Sequence, residues 1–402
     1  MSGAHVGDAL ARLCALLAEV ADVLEERVHG PAPPAWAERR GWSEALLALD
    51  DATLERAEQG DVARVIASTP TLPPSLRALA AAVIERTAVP LAVGRVEPRP
   101  LRRASERKRA QVAALTALAR RLAPRARRIV DVGAGHGHLT RELARALALP
   151  ALGIEVRPHV VEGARALTTA GHVSFVAADA LSGTLDARED DLLVGLHACG
   201  ALGDALIRSA AESGAGVLLI ACCPQKIPDD ARAPLSARGR ALGLIVPRPQ
   251  LGLANLATLA QGGKDSAGAA DLRRARYALA LLLRDAGVAL PPGDEVHGIP
   301  RRQLRRPLAE VAARAFALRG LAPPSPLAVE DAARRAGAEH ARVRRLALPR
   351  AMLARPLELA LALDRAALLE ERGAAPEVVE AFDRSASPRN LAILRRVGAP
   401  RS

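Results

Sequence analysis

The sequence predicts an α/β protein: an open, mostly parallel sheet with helices on both faces, extended by a helical N-terminal cap and a helical C-terminal insertion. Three observations carry that expectation. Short apolar runs alternate with helical periodicity between residues 130 and 224, the pattern of successive strand–helix units. The first run turns through three alternating glycines, Gly133, Gly135 and Gly137, straight into a helix. Three acids, Asp131, Glu155 and Asp179, fall at equal intervals of 24 residues near the ends of the first three runs.

Along the chain, Ala9 to Val28, Ser43 to Gln59 and Pro74 to Arg86 have the spacing of amphipathic helices, so residues 1–100 read as a helical region. A proline-bearing connector from Val96 to Leu101 leads into a core spanning 101–264. Its first strand and turn read Val130-Asp-Val-Gly-Ala-Gly-His-Gly-His-Leu-Thr140. Glycines there let the backbone approach a ligand, and the start of the following helix offers unpaired N–H groups. The spacing is G-x-G-x-G, and His138 stands where a dinucleotide fingerprint needs its third glycine. Asp131, Gly133, Ala134, Gly135 and Gly137 are therefore candidate contacts to a nucleotide-like ligand other than a dinucleotide.

Ala151 to Val156 is the second strand, with Glu155 at its tip able to accept both hydroxyls of a ribose. Val173 to Asp179 is the third, and Asp179 is placed to accept from an adenine amino group. In open α/β sheets ligands bind outside the carboxyl ends of the strands, where all three acids lie. The duller alternative is that each acid merely caps the next helix. The fourth strand, Asp191 to Cys199, ends in His197-Ala-Cys199-Gly200, and the fifth, Val217 to Cys223, ends in two thiols before Pro224. His197 is the candidate for taking or orienting a proton near neutral pH, with Cys199 beside it.

The glycine loop with its preceding acid resembles motif I of the class I methyltransferases. The run Gly195-Leu-His197-Ala-Cys199-Gly200 with the later Cys222-Cys223 is similar, more narrowly, to the methyltransferase-like protein 25 group, which includes proteins labelled ribosomal RNA adenine dimethylase domain-containing. Lys108-Arg109-Ala-Gln111-Val112 upstream, and Leu363-Asp364-Arg365 and Ser387-Pro388-Arg389-Asn390 downstream, match that group's segments in order. The resemblance implies a Rossmann-like methyltransferase sheet and S-adenosyl-L-methionine as cofactor. The cofactor's amino-acid part would lie near Asp131, its ribose on Glu155, its adenine near Asp179 and its methyl group facing His197. Cys222 and Asn390 would help shape the pocket. Pro224 replaces the group's usual aromatic residue and Gln111 a histidine, so the cofactor half of the pattern is the better preserved.

The net charge of +12 joins the resemblance in pointing to RNA, ribosomal or transfer, as methyl acceptor. A protein side chain, a non-catalytic interaction module and, more remotely, a nicotinamide enzyme are the alternatives. Lysine occurs only at 108, 226 and 264, so part of the charge reflects an arginine-rich composition. An aromatic content of 1% argues against a stacking platform for single-stranded RNA. Arg102, Arg103, Arg107, Lys108 and Arg109 form a run that would contact phosphate or simply face water. Four cysteines are too few for a disulfide framework and suit a reducing compartment. His197, Cys199, Cys222 and Cys223 are the ligand inventory of a zinc site. Neighbouring cysteines are poorly disposed to share an ion, however, and the expectation is no metal. With neither an unbroken apolar signal core nor an 18-residue apolar run, the chain reads as cytoplasmic and free of membranes.

Beyond the fifth strand, Gly262-Gly-Lys264 and Pro291-Pro-Gly293 mark loops, and Leu272 to Asp285, Arg302 to Arg319, Val329 to Ala336 and Leu353 to Glu371 read as helices. Residues 265–380 are thus a helical insertion, and within 381–402 a strand from Arg389 to Arg395 returns to the sheet edge.

Overall fold

A computed structural model of the chain describes residues 6–94, 96–97, 101, 105–169, 171–183, 185–254, 266–290, 293–384, 387 and 389–398. The Gly262–Lys264 stretch, Pro291 and Pro292, Arg102 and Arg103, the connector residues 98–100 and Pro388 lie outside the described residues. The chain forms two compact units. One comprises Met1–Ala21, Ala82–Leu259 and Leu353–Ser402; the other comprises Asp22–Ala81 and Ala260–Met352.

The first unit is built on a seven-stranded sheet. Its strands in chain order are β1 (Arg128–Val132), β2 (Ala151–Glu155), β3 (Val173–Ala177), β4 (Asp191–Cys199), β5 (Gly216–Cys222), β6 (Glu377–Glu380) and β7 (Leu391–Arg395). They lie in the spatial order β3-β2-β1-β4-β5-β7-β6, and only β7 runs against the others. The expected α/β fold is therefore present, with both faces of the sheet buried. Its helices are α1 (Val6–Glu19), α2 (Glu106–Leu122), α3 (His138–Leu147), α4 (Pro158–Ala166), α5 (Ala201–Ser213) and α6 (Ala354–Glu370). On one face Ile129, Val194 and Ile220 share a core with Leu115 and Leu118 of α2 and Leu143 of α3. On the other, α5 packs on β4, β5 and α6, and α1 packs along α6. The strand order reverses at β1, whose neighbours are β2 and β4. In open α/β sheets ligands bind at such a reversal, and the glycine loop and His197 lie at the carboxyl ends of β1 and β4 beside it.

The returning C-terminal strand lies inside the sheet rather than at its edge: β7 pairs with β5 on one side and β6 on the other. The sequence reading missed β6 because it is four residues long and carries a glutamate at each end. Such short, charged strands are what sheet edges favour. α6 is a core helix of the first unit, with Leu363, Asp364 and Arg365 all buried, although the periodicity placed it in the helical insertion. α1 likewise belongs with the sheet, so the compact units interleave along the sequence where contiguous regions ending at 100, 264 and 380 were expected.

In the second unit, helices Ser266–Asp285, Leu308–Ala317 and Pro326–Leu346 enclose a core that includes Leu279, Leu283, Ala312 and Phe316. Trp36 and Trp42 meet edge to face with centroids 6.2 Å apart. The expected single helix over Ser43 to Gln59 is two, Ser43–Leu47 and Asp51–Gln59. Asp50 restarts it by accepting the Thr53 N–H at 2.7 Å. Similarly, Pro307 interrupts the Arg302 to Arg319 reading, leaving a 3₁₀ turn and then Leu308–Ala317. No helix among the described residues is long and apolar enough to cross a membrane.

Candidate active site

The loop between β1 and α3 is tethered to β2, because the Gly133 and Ala134 N–H groups both donate to the Ile154 carbonyl, at 2.8 and 3.0 Å. Its three glycines all adopt positive φ, at 77°, 56° and 71° for Gly133, Gly135 and Gly137, a region that penalises a Cβ. They differ in what lies beside them. A Cβ on Gly137 would sit 2.2 Å from the Phe175 ring, and one on Gly153 would sit 2.4 Å from the same ring. Those two glycines make room for a core aromatic of β3. At Gly133 the nearest neighbour is a Leu202 methyl at 3.4 Å, whereas Gly135 faces open space. Of the three loop glycines, Gly135 is therefore the one with room beside it for a ligand.

Each of the three strand-end acids makes a local bond, so the capping alternative is realised in part. Asp131 is buried and accepts the Thr140 hydroxyl at 2.6 Å, tying the strand end to the first turn of α3. Burial pushes its carboxyl up to about 6, against the opposing pull of the Thr140 hydroxyl and the nearby Lys108 ammonium. Asp179 is exposed in the turn after β3, where its carboxylate accepts the Leu181 N–H at 2.9 Å. Glu155 is buried at the tip of β2 and faces the open loop, accepting the Gly135 N–H at 3.1 Å through Oε2. Its Oε1 accepts the Arg157 backbone N–H and guanidinium, at 3.2 and 2.8 Å. The Arg157 bond is the main reason its carboxyl lies below the usual range. A carboxylate has about four acceptor sites; this one keeps capacity for a ligand hydroxyl and can gain more if Arg157, largely exposed, swings away.

Lys108 on α2 is the candidate site residue that the sequence reading placed differently. Counted there among a run facing phosphate or water, it is turned toward Asp131, His138 and His197, on each of which its charge acts. Its own ammonium is pushed down by burial. One turn further along α2, Gln111 is buried and its Nε2 donor has no partner among the described residues. The signal for both was present in the spacing, since positions three apart share a helix face.

His197 occupies a bulge in β4, where the register with β5 shifts between Leu196 and Ala198, and its φ is +67°. A non-glycine residue held there is strained, and such strain persists where surrounding structure enforces it. Burial, with Lys108, Arg107 and Arg389 adding to it, pushes the imidazole down to about 4. At neutral pH the ring is uncharged and a weaker base than its ordinary value near 6.5 would make it. A pH–rate profile is accordingly expected to show no His197 limb near neutrality; a limb at pH 6 to 7 that disappears in His197→Ala would contradict this placement.

Beside it lie the thiols. Cys199 and Cys222 are cross-strand partners of β4 and β5, and both donate to the His197 carbonyl, at 3.1 and 3.5 Å. Arg389 donates to the Cys223 sulfur at 2.7 Å. Contacts from Cys222, Lys226 and Cys223 outweigh burial and hold the Cys199 thiol down at about 6. Asn390, by contrast, is buried against the Phe382 carbonyl and Arg355, a structural position.

Residues 107–230, from α2 to just past β5, match a family model described as a methyltransferase domain. This segment is a methyltransferase domain. The cofactor of such a domain is S-adenosyl-L-methionine. Among solved structures, the chain is similar to a TehB-like methyltransferase from Corynebacterium glutamicum, at 17% identity over 26% of this chain and 60% of that one, with a TM-score of 0.23. It is also similar to DesVI from Streptomyces venezuelae, at 18% identity over 30% of this chain and 57% of that one, TM-score 0.24. The glycopeptide N-methyltransferase MtfA, in complex with S-adenosyl-L-methionine, shows 19% identity over 34% of this chain and 65% of that one, TM-score 0.23. In each case the match spans less than two thirds of the other chain.

Proposed function

We propose that this protein transfers the methyl group of S-adenosyl-L-methionine to RNA, ribosomal or transfer, in a reducing, cytoplasmic setting. The observation that carries the cofactor half is the open cradle at Gly135 with the Glu155 carboxylate bonded to its N–H and facing the same space. When bound, the cofactor supplies an electrophilic methyl group on a sulfonium. Glu155 accepts the ribose hydroxyls, and Asp131 with Lys108 sets the charge beneath the cofactor's amino-acid part. Asp179 lies on the exposed side, toward the adenine. His197, uncharged, accepts a hydrogen bond from the acceptor and orients it, with Cys199 at its side; in-line placement is the main requirement of such a transfer. What supports RNA is the net charge of +12 and the family resemblance. Within the second unit, a cavity of about 610 Å³ lined by Arg273, Arg276 and Arg284, with Glu295 pairing Arg276, adds a cationic surface.

Calorimetric titration with S-adenosyl-L-methionine and its demethylated product, with NAD as control, tests the cofactor. Micromolar binding of the first two alone supports the reading, and NAD binding in their place refutes it. Incubation with tritiated cofactor and separated cell RNA and protein then identifies the acceptor. Label in protein alone would replace RNA by a side chain.

Asp131 gives this reading a pH signature. A carboxyl raised in the folded state adds stability below its unfolded value of 3.8 and loses it as pH rises through about 6, a cost of about 3 kcal/mol in the free protein. The cationic amino group of the cofactor would relieve that cost by pairing with the charged form. Affinity is therefore expected to rise as pH passes upward through about 6, and Asp131→Asn to flatten the dependence, both read by titration across that range.

A further inference from the structure

The sulfurs of Cys199, Cys222 and Cys223 all lie within 4.8 Å of one another. Neighbouring residues of an extended strand point to opposite faces, so Cys222 and Cys223 would ordinarily be separated by the sheet. Cys223, the first residue past β5, escapes that rule because its φ is +40°, a left-handed turn that brings its sulfur to those of Cys222 and Cys199. Cys199 reaches the same point from β4 as the register partner of Cys222, one step past the bulge at His197. Gly200, with φ +51°, follows at once, and a Cβ there would meet the Lys226 carbonyl at 2.0 Å. Two non-glycine residues, His197 and Cys223, are thus held in sparsely populated backbone conformations beside three thiols, with Gly200 at a position where no side chain fits. Any Cβ is penalised at such a φ and only glycine would escape it, so a thiol kept at Cys223 is held there against its backbone preference.

We propose that Cys199, Cys222 and Cys223 form a binding site for a soft divalent cation, Zn²⁺, as three thiolates with the fourth position left to a non-cysteine ligand such as solvent. Zinc bonded to thiolates at about 2.3 Å in a tetrahedron sets its sulfurs about 3.8 Å apart, which the cluster reaches with small side-chain adjustments. Three thiolates and a doubly charged ion leave one net negative charge. Arg389 is in place to balance it, donating to the Cys223 sulfur at 2.7 Å, as groups that bond to metal ligands commonly do. All protons still carried by the three thiols pass to solvent when the ion binds, and Cys199 and Cys222 give up their bonds to the His197 carbonyl. The ion would sit at the carboxyl ends of β4 and β5, next to the bulge that carries His197. This proposal is independent of the acceptor named above.

The test uses the full chain, purified under reducing conditions, stripped with a chelator and titrated anaerobically with Co²⁺. Binding to three thiolates is expected to give an intense near-ultraviolet thiolate-to-cobalt band saturating at about one ion per chain and abolished by equimolar Zn²⁺. The band should persist in Cys14→Ser and vanish in the triple variant Cys199→Ser, Cys222→Ser, Cys223→Ser. Absence of the band in the wild type overturns the proposal, as does equal zinc content in wild type and triple variant. So does a Cys199–Cys222 disulfide found by peptide mapping of anaerobic protein. Should the triple variant fail to fold, the wild-type spectrum still decides. Titration of the metal-free protein with S-adenosyl-L-methionine separates this outcome from failure of the methyltransferase reading.

Discussion

Asp364→Ala is expected to destabilise the first unit by about 3–5 kcal/mol, the cost of stripping a buried ion network of one partner. Asp364 is fully buried in α6 and accepts from the Arg232 guanidinium at 2.9 Å, from the Leu235 and Ser236 N–H groups at 2.9 and 3.1 Å, and from the Ser236 hydroxyl at 2.8 Å. Arg232 turns its other nitrogens to Asp204 of α5, which also receives Arg365 at 2.8 Å. Two carboxylates and two guanidiniums therefore neutralise one another in a space closed to water. Removing Asp364 leaves Arg232 with one buried counter-charge to share with Arg365, and two backbone donors with none. Chemical denaturation followed by circular dichroism measures the loss. A change under about 1 kcal/mol would show that water reaches and repairs the site. Asp364→Asn, which keeps the shape and some acceptors, is expected to fall between the two.

Glu155→Ala is expected to weaken binding of S-adenosyl-L-methionine by about a hundredfold. A hydrogen bond to a charged acceptor contributes about 1.5–3 kcal/mol and tenfold corresponds to about 1.4, so the loss of two ribose bonds to one carboxylate accounts for the factor. Some of the loss comes through the loop, because Gly135 donates to Glu155 at 3.1 Å and its conformation depends on that bond. Glu155→Gln separates the contributions: it keeps an acceptor for Gly135 while losing the charge. Calorimetric affinities within threefold of wild type for Glu155→Ala would remove Glu155 from the cofactor site.

The β1 to β5 part of the sheet was legible in the sequence because its signals are local. A glycine with positive φ, an acid at a strand end and a buried apolar run each act over a few residues, and the loop at Gly135 and the tip at Glu155 follow from them. Conformations imposed by tertiary contacts left no such trace. Nothing in Gly-Leu-His-Ala-Cys-Gly announces the bulge that gives His197 a φ of +67°, or the burial that pushes its imidazole down to about 4. For the same reason the adjacency of Cys222 and Cys223 argued against a shared ion, since a regular strand would divide them. Asp364 and Arg365 stood out in the sequence only as part of a segment similar to one in the methyltransferase-like protein 25 group. The structure spends them on holding α6 against α5, a use that depends on Asp204 and Arg232, distant in the chain.

The place of β7 between β5 and β6 bears on how the protein is made. Until residues 391–395 leave the ribosome, β5 presents an unpaired row of N–H and C=O groups directly beside the thiols, in a nascent chain that already holds every strand of the methyltransferase domain. Such an edge invites pairing with other chains. Pairing of residues 391–395 is thus the event that seals this side of β5, and a chain cut before them would expose that edge to other chains.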